Sequence, residues 1–456
     1  MAAEAARYLA PLAWVGGAWA RDVLLEVGPD GCWSGVTPDA PEQLRAQAQT
    51  LAGPVLPGLV DAHSHAFQRA IAGLTESSGA GEDDFWRWRD RMYSAANRIT
   101  PQQLEAIAAF LYAELLDAGY TEVCEFQYLH NAQDGRPYAD ADMSLALARA
   151  AQRVGIGLTL LPTLYMRSGF GAGGLRPDQR RFASTPDSVL RIGEGIAGLA
   201  DPLVHAGVAL HSLRAVDAAA LGEVAAAARG RMPVHIHVAE QQQEVEDCVA
   251  HHGRRPVEWL LEQVELDARW NLVHATQTTS GELAGVQSSG ASIVICPSTE
   301  ANLGDGVFDL PDWLARAGSW SIGSDSHVTR SWQEELRLLE YSQRLSLRRR
   351  NIAARSGRRE STAAVLFEGA LAGGTAAAGR PLGGISVGQR ADFMLVDRSA
   401  PALVGVPDGQ LLDAIVFSSP LACIGEVRVA GRSVRPLASR PELAQGMRDA
   451  MQALWG

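Results

Sequence analysis

Eight short runs rich in β-branched and other apolar residues recur along the chain, and longer helix-compatible stretches separate them. The runs are Val55 to Val60, Tyr120 to Phe126, Ile156 to Leu164, Gly207 to Leu210, Pro233 to Val238, Trp270 to Val273, Ala291 to Cys296 and Trp320 to Gly323. Between them, Pro101 to Ala118, Ala141 to Val154, Asp217 to Ala228 and Pro256 to Val264 carry apolar residues at helical spacing. A parallel neighbour is reached only by a crossover, so this alternation predicts an α/β fold with a parallel sheet. Eight such units predict a TIM-type (β/α)8 barrel. The structural alternative is an open doubly wound sheet. That fold usually announces a Gly-rich phosphate turn after its first strand, and none follows Val60.

The two ends of the chain read differently. Residues 1–56 are rich in strand and turn signals, and so is 380–436, with Gly388-Gln389-Arg390-Ala391-Asp392-Phe393-Met394-Leu395-Val396-Asp397 and Glu426-Val427-Arg428-Val429-Ala430-Gly431. These segments are expected to pair into one small, discontinuous β-sandwich, with the barrel of 57–379 inserted between them and a C-terminal helix in 437–456. A chain of 456 residues has room for both units. The apolar stretch Tyr8 to Ala20 ends in Ala18-Trp19-Ala20 and mimics a signal peptide. Pro11 and Gly16-Gly17 interrupt it, and the reading is a hairpin: a strand near Leu12 to Val15, a Gly-Gly turn, and a strand from Ala18 to Val27. Arg337 to Arg350 has helical spacing and a basic end, as a solvated helix face does.

Composition narrows the chemistry. Net charge is −12, which disfavours a nucleic-acid partner. No apolar run is long enough to span a bilayer, so no membrane partner is expected. Cys32, Cys124, Cys248, Cys296 and Cys423 are scattered and form no Cys-x-x-Cys, which points to a reducing cytoplasm and away from a thiolate zinc site. All 40 basic residues counted as Lys+Arg are arginine. With no lysine there is no Schiff base, no Walker lysine and no carboxylated lysine bridging two metals.

Polar residues gather where the apolar runs end. The first run passes into Asp61-Ala62-His63-Ser64-His65, and residues two apart on a strand share a face. Val234-His235-Ile236-His237-Val238-Ala239-Glu240 closes the fifth run, Leu272-Val273-His274 the sixth, and Ile322-Gly323-Ser324-Asp325-Ser326-His327 the eighth. In a barrel the C-terminal strand ends converge on one mouth. Three imidazoles and a carboxylate there suit a borderline-soft divalent ion such as zinc, with room for water. His235 and His237 lie on one face, and their spacing does not choose between them. Glu240 follows three residues after His237, where it could reach over such a site and shuttle protons.

The order His-x-His, His, His, Asp on strands one, five, six and eight resembles the amidohydrolase superfamily, and the absence of lysine resembles its mononuclear deaminase branch. Longer strings are similar to the formimidoylglutamate deiminases of that branch. They are His63-Ser64-His65-Ala66-Phe67-Gln68-Arg69-Ala70, His235 to Gln241, Cys296-Pro297-Ser298-Thr299-Glu300-Ala301-Asn302-Leu303-Gly304-Asp305-Gly306, and Gly323 to His327. The resemblance covers most of the chain. It implies one divalent ion, most often Zn2+, held by His63, His65, His237 and Asp325, with Glu240, His274 and Asp325 acting on the hydrolytic water. It carries α-carboxylate recognition to His211 and Arg214, and contacts to the remaining carboxylate or the formimino group to Gln68, Arg89 and Tyr128. It leaves His235 as a strand residue and gives His327 no role. Gln277 stands where many relatives carry a further histidine, a departure that touches local packing. The implied activity is deimination of a small dicarboxylate in histidine degradation by a homodimer. Two other readings are a ring deaminase of the same superfamily acting on a nucleobase or adenosine derivative, and a non-catalytic metal-binding barrel.

Overall fold

A computed structural model describes residues 6–76, 85–357, 359–418 and 423–456 of the chain. Eight strands run parallel in sequence order: β1 (Leu59–Ser64), β2 (Tyr120–Gln127), β3 (Gly157–Leu164), β4 (Val208–Ser212), β5 (Val234–Val238), β6 (Trp270–His274), β7 (Ser292–Ile295) and β8 (Trp320–Ile322). Each of the eight predicted runs overlaps one of them. The ring closes through a single parallel bridge between Ser64 and Asp325, so the last turn of the barrel falls on the polar strand ends.

Local chemistry explains the helix between β1 and β2. Thr100 caps Pro101–Ala118, accepting the Gln103 N–H while the Gln103 side chain accepts the Thr100 N–H, and Pro101 fills the first position. Gly119 ends it in a left-handed conformation (φ 101°), which glycine adopts without strain. A second helix, Thr362–Ala378, crosses the N-terminal openings of the strands. Its Ala377 and Ala378 carbonyls accept hydrogen bonds from His235 on β5 and Thr159 on β3. Gly373 and Gly374 let it lie directly on Trp320 and Val60, where a Cβ would collide.

The two chain ends meet in one mixed sheet of eight strands with its own apolar core, centred on Tyr8, Val23, Leu25, Trp33, Val55 and Phe393. Ala6–Val15 and Ala18–Val27 form its first hairpin, with Gly16 and Gly17 both at positive φ as a tight two-residue turn requires. The run expected as one strand, Val55 to Val60, serves both units. Val55–Pro57 pairs with Phe393–Val396 in the mixed sheet, and Leu59–Ser64 opens the barrel. The change of partner falls at Gly58, whose N–H bonds the Asp392 carbonyl while the Leu59 N–H bonds that of Gly119. Gly58 presses on the Thr121 side chain, leaving no room for a Cβ.

A buried charge network ties the sheet to the barrel. Arg390 pairs with Asp392 at 2.6 Å and with Glu122 of β2 at 2.8 Å, and donates to the Thr121 carbonyl at 3.1 Å. All three charged side chains are buried. Burial alone would push Arg390 down and Glu122 up; the mutual attraction raises Arg390 and draws Glu122 back. Removing one partner strands the others without compensation. Arg390→Met is expected to lower stability by about 3–5 kcal/mol, read from the denaturant midpoint. A midpoint equal to wild type would show that the two units do not depend on this pair.

Candidate active site

The C-terminal strand ends carry a cluster of left-handed backbone at residues other than glycine. Ala239 (φ 52°), His274 (71°), Ala275 (53°), Asp325 (50°) and His327 (61°) all lie at the ends of β5, β6 and β8. Each such residue costs on the order of 1–3 kcal/mol, and such strain collects where side chains must be aimed against local preference. The barrel register places Val238 beside His274, and the Ser64–Asp325 bridge places both β1 histidines beside Asp325.

The structure brings His63, His65, His237 and Asp325 onto one point. His63 Nε2 lies 2.9 Å from His237 Nε2 and 3.1 Å from His65 Nε2. Asp325 Oδ1 lies 3.3 Å from His65 Nε2 and 3.6 Å from His63 Nε2. Donors about 2.0–2.1 Å from a tetrahedral zinc ion would be about 3.4 Å from each other, close to this spacing. The opposite ring nitrogens fix the tautomers. His65 Nδ1 meets the Phe126 carbonyl at 3.0 Å and His237 Nδ1 meets the His211 carbonyl at 2.9 Å. A carbonyl only accepts, so Nδ1 carries the proton in both rings and the Nε2 lone pairs turn inward. Burial holds the three imidazoles neutral, lowering His65 to about 3 and the other two well below the usual range. Burial, opposed by His274 and joined by Glu240 and Glu300, lifts Asp325 to about 7. Inward lone pairs on neutral rings beside a buried carboxylate make a donor set that fits a divalent cation.

Beside this point stand His274, Glu240 and Glu300. His274 Nε2 is 3.7 Å from Glu240 Oε1 and 3.8 Å from Asp325 Oδ2. Its Nδ1 faces Glu300 Oε1 at 3.3 Å. Burial lowers the affinity of His274 for a proton, but Glu240, the Glu300 bond and Asp325 together outweigh it and raise the imidazole to about 10.

A cavity of about 580 Å³, including its open mouth, leads from solvent to these groups. Gln68, Arg89, Tyr128, His211 and Arg214 all line it. Gln68 donates to the Tyr128 hydroxyl at 3.1 Å, while its own buried carbonyl oxygen has no hydrogen-bond partner among the described residues. The Arg214 guanidinium makes no hydrogen bond or ion pair with any described residue. Arg89 lies over the Tyr93 ring, 5.6 Å from its centroid. In the aromatic-arginine segment around Arg89, the side chains of Phe85, Trp86 and Arg87 fall outside the described residues.

The histidines left open by spacing part company in space. His237 faces the donor cluster, whereas His235 lies one layer deeper and bonds the Ala377 carbonyl at 2.9 Å. His327 is held behind the cluster by Ser324 (3.0 Å) and Ser64 (3.4 Å). The Gln277 amide donates to the Asp305 carbonyl and so pins the loop that follows Leu303, a wall of the cavity. Sequence reasoning passed over Glu300, Tyr93, Tyr165 and Leu303. Glu300 stood inside a quoted motif, but only the fold turns it toward His274. The cavity-lining tyrosines carry no spacing signal.

A parallel barrel with an imidazole–carboxylate cluster at its C-terminal mouth defines the class of metal-dependent barrel hydrolases. Residues 55–434 match the model of the amidohydrolase family, and the chain belongs to that family. It is 47% identical over 418 residues to the formimidoylglutamate deiminase of Pseudomonas aeruginosa, covering 91% of each chain. It superposes on the crystal structure of an amidohydrolase from Brucella melitensis with a TM-score of 0.91 and 40% identity, covering 99% of this chain and 100% of that one. An adenosine deaminase from Xanthomonas campestris with bound zinc shares the fold, with a TM-score of 0.78 at 23% identity over 98% of both chains. No helix among the described residues is long and apolar enough to cross a membrane.

The two β5 histidines give a direct test. His237→Ala is expected to purify with metal far below one equivalent, while His235→Gln keeps close to one equivalent by elemental analysis. Equal metal contents in the two variants would remove His237 from the donor set.

Proposed function

We propose that this chain hydrolyses N-formimidoyl-L-glutamate to N-formyl-L-glutamate and ammonia, a step of histidine degradation. The carrying observation is the meeting of two features in one cavity: a cation-fitting cluster of three neutral imidazoles and Asp325, and an arginine, Arg214, that makes no hydrogen bond or ion pair with any described residue. The formimidoylglutamate deiminase relative at 47% identity supports the same substrate.

His63, His65, His237 and Asp325 would hold the ion, and three nitrogens with one oxygen suit zinc best. When bound, the ion supplies Lewis-acid activation of water near neutral pH. The remaining chemistry belongs to the side chains. Water adds to the amidine carbon, and Asp325 takes the proton it gives up. His274, anchored by Glu300, holds the adding oxygen and the tetrahedral carbon in line. Glu240, whose Oε1 lies 3.7 Å from His274 Nε2, delivers a proton to the departing nitrogen. The C–N bond then breaks and ammonia leaves as the hydroxyl on the tetrahedral carbon gives its proton to the Glu240 carboxylate, which restores the acid; the formyl carbonyl forms, and Asp325 passes the proton taken from water to solvent, so that the amidinium and water become the formyl amide, ammonia and one proton.

The substrate brings two carboxylates into a protein of net negative charge, so recognition must be local. Arg214 offers a planar fork that matches a carboxylate in two places, and His211 stands beside it to receive the α-carboxylate. Arg89 and Tyr128 take the second carboxylate. The unpartnered carbonyl oxygen of Gln68 seeks a donor, and an amidine N–H supplies one. The five free thiols fit a cytoplasmic enzyme, and the family resemblance makes it a homodimer.

Ammonia release is the deciding assay, run with metal-quantified protein on formimidoylglutamate beside a panel of nucleobases. Turnover of a nucleobase without turnover of the diacid would overturn the proposal in favour of a ring deaminase; turnover of neither would favour a non-catalytic barrel. Glu240→Gln should keep its metal and lose about 10²–10⁴-fold in kcat. Arg214→Met should raise KM for the diacid by about 10- to 100-fold, the worth of a charge-assisted hydrogen bond. Unchanged kinetics in either variant would remove that residue from its role.

A further inference from the structure

Three polar side chains close a small triangle at the cavity wall. Tyr93 comes from the helix Phe85–Ala96, Tyr165 follows the end of β3, and Gln179 sits in the short helical turn Pro177–Phe182. Gln179 Nε2 lies 3.1 Å from the Tyr93 hydroxyl and 3.0 Å from that of Tyr165, and the two hydroxyls are 3.3 Å apart. All three residues are buried, and both tyrosines line the cavity.

Counting protons shows what the triangle leaves over. The Gln179 carbonyl oxygen accepts the Arg176 backbone N–H at 3.0 Å, which fixes the amide with its nitrogen toward the tyrosines. That nitrogen only donates, so neither phenol proton points at Gln179. The gap between the two hydroxyl oxygens holds one proton, and the pair carries two. At least one O–H is therefore left over, and neither hydroxyl bonds any other described residue. A buried donor without an acceptor is costly, unless what enters the cavity accepts it.

The surroundings distinguish the two hydroxyls. The Tyr165 ring lies against the His211 ring, with centroids 4.2 Å apart, and His211 is the imidazole assigned above to the α-carboxylate. Tyr165 is held there by its backbone N–H, which donates to the Ser184 hydroxyl at 2.8 Å, and by the Phe182 ring at 5.5 Å. The Tyr93 ring instead has Arg89 and Arg176 over it, each 5.6 Å from its centroid. We propose that Tyr93 donates to Tyr165, and that Tyr165 donates to the α-carboxylate of the substrate beside His211 and Arg214. Tyr165 is then a specificity-determining residue, and Tyr93 and Gln179 are positioning residues that orient its proton. Because Gln179 and Tyr93 both donate to it, Tyr165 meets a ligand only as a donor. A carboxylate oxygen satisfies that donor, and an N–H group does not. This inference rests on the deiminase reading of the same site.

A tyrosine that only packs the wall would weaken every ligand alike. The test compares N-formimidoyl-L-glutamate with N-formimidoyl-4-aminobutyrate, which keeps the amidine and the distal carboxylate but has no α-carboxylate. The analogue is read by its competitive inhibition constant against formimidoylglutamate, which needs no turnover. Tyr165→Phe is expected to keep wild-type metal content, to raise KM for the diacid about tenfold, as loss of one hydrogen bond to a charged group does, and to leave the inhibition constant of the analogue unchanged. Tyr93→Phe removes a hydroxyl from the same triangle but leaves Tyr165 held by Gln179; it should shift both constants by less than about threefold, the loss of one bond's polarisation of another. Equal increases of both constants in Tyr165→Phe would make Tyr165 a packing residue, and no increase would make its hydroxyl idle. Either result would overturn this inference alone, as would a rise in KM confined to Tyr93→Phe. Failure of the wild-type protein to turn over formimidoylglutamate would overturn the deiminase reading, and this inference with it.

Discussion

Closure of the barrel between its first and last strands is the constraint on which the site depends. β8 is three residues long, and its seam with β1 is made largely by polar groups beyond the strand end. The Asp325 N–H bonds the His63 carbonyl at 2.9 Å and the His65 N–H bonds the Asp325 carbonyl at 3.2 Å. Asp61 adds two bonds to Ser324, to its N–H at 2.8 Å and to its hydroxyl at 2.5 Å. Ser64 reaches Glu125 of β2 at 2.7 Å on the other side. The residues that shut the ring are thus the metal-binding candidates themselves or their immediate neighbours. A barrel that failed to close would separate His63 and His65 from Asp325, so forming the fold and assembling the site are one event.

Burial then determines what that point can hold. Asp61 on β1 and Glu125 on β2, both fully enclosed, are pushed by burial to about 7 and about 8 despite the hydrogen bonds they accept. The imidazoles in front are held neutral for the same reason. A low-dielectric pocket that suppresses charge on its own side chains favours an external cation, which can settle several of them at once. His274 is the exception. Surrounded by Glu240, Glu300 and Asp325, it gains a proton where the other rings lose theirs.

Much of this was legible in the sequence, and the gaps have physical causes. Hydrophobic runs located all eight barrel strands, because a strand buried on both faces must be continuously apolar. The same signal could not divide Val55–Val60 at Gly58, since both halves are buried and only the hydrogen-bonding partner changes. A period of two put His235 and His237 on one face but gave no depth, and depth separates a bond to Ala377 from a place at the mouth. Arg214 and Gln68 were found through motifs; that the Gln68 carbonyl oxygen and the Arg214 guanidinium find no hydrogen-bond partner among the described residues is a property of the folded cavity.

The same donors bear on where a further ion could sit. Two metals sharing a hydrolytic barrel need a bridging ligand, and a carboxylated lysine is excluded because the chain contains no lysine. A second group of candidate donors does exist, in His274, Cys296 and Glu300. Its Glu300 oxygen is already engaged, accepting the Cys296 N–H at 2.8 Å and facing His274 Nδ1 at 3.3 Å. Burial also pushes the Cys296 thiol well above its usual range, away from the thiolate form that binds metal. To place an ion there would break the anchor that orients His274 toward Glu240 and Asp325. Among the described residues, unshared lone pairs converge at the point between His63, His65 and His237, and the neighbouring group uses its hydrogen bonds to aim an imidazole at it.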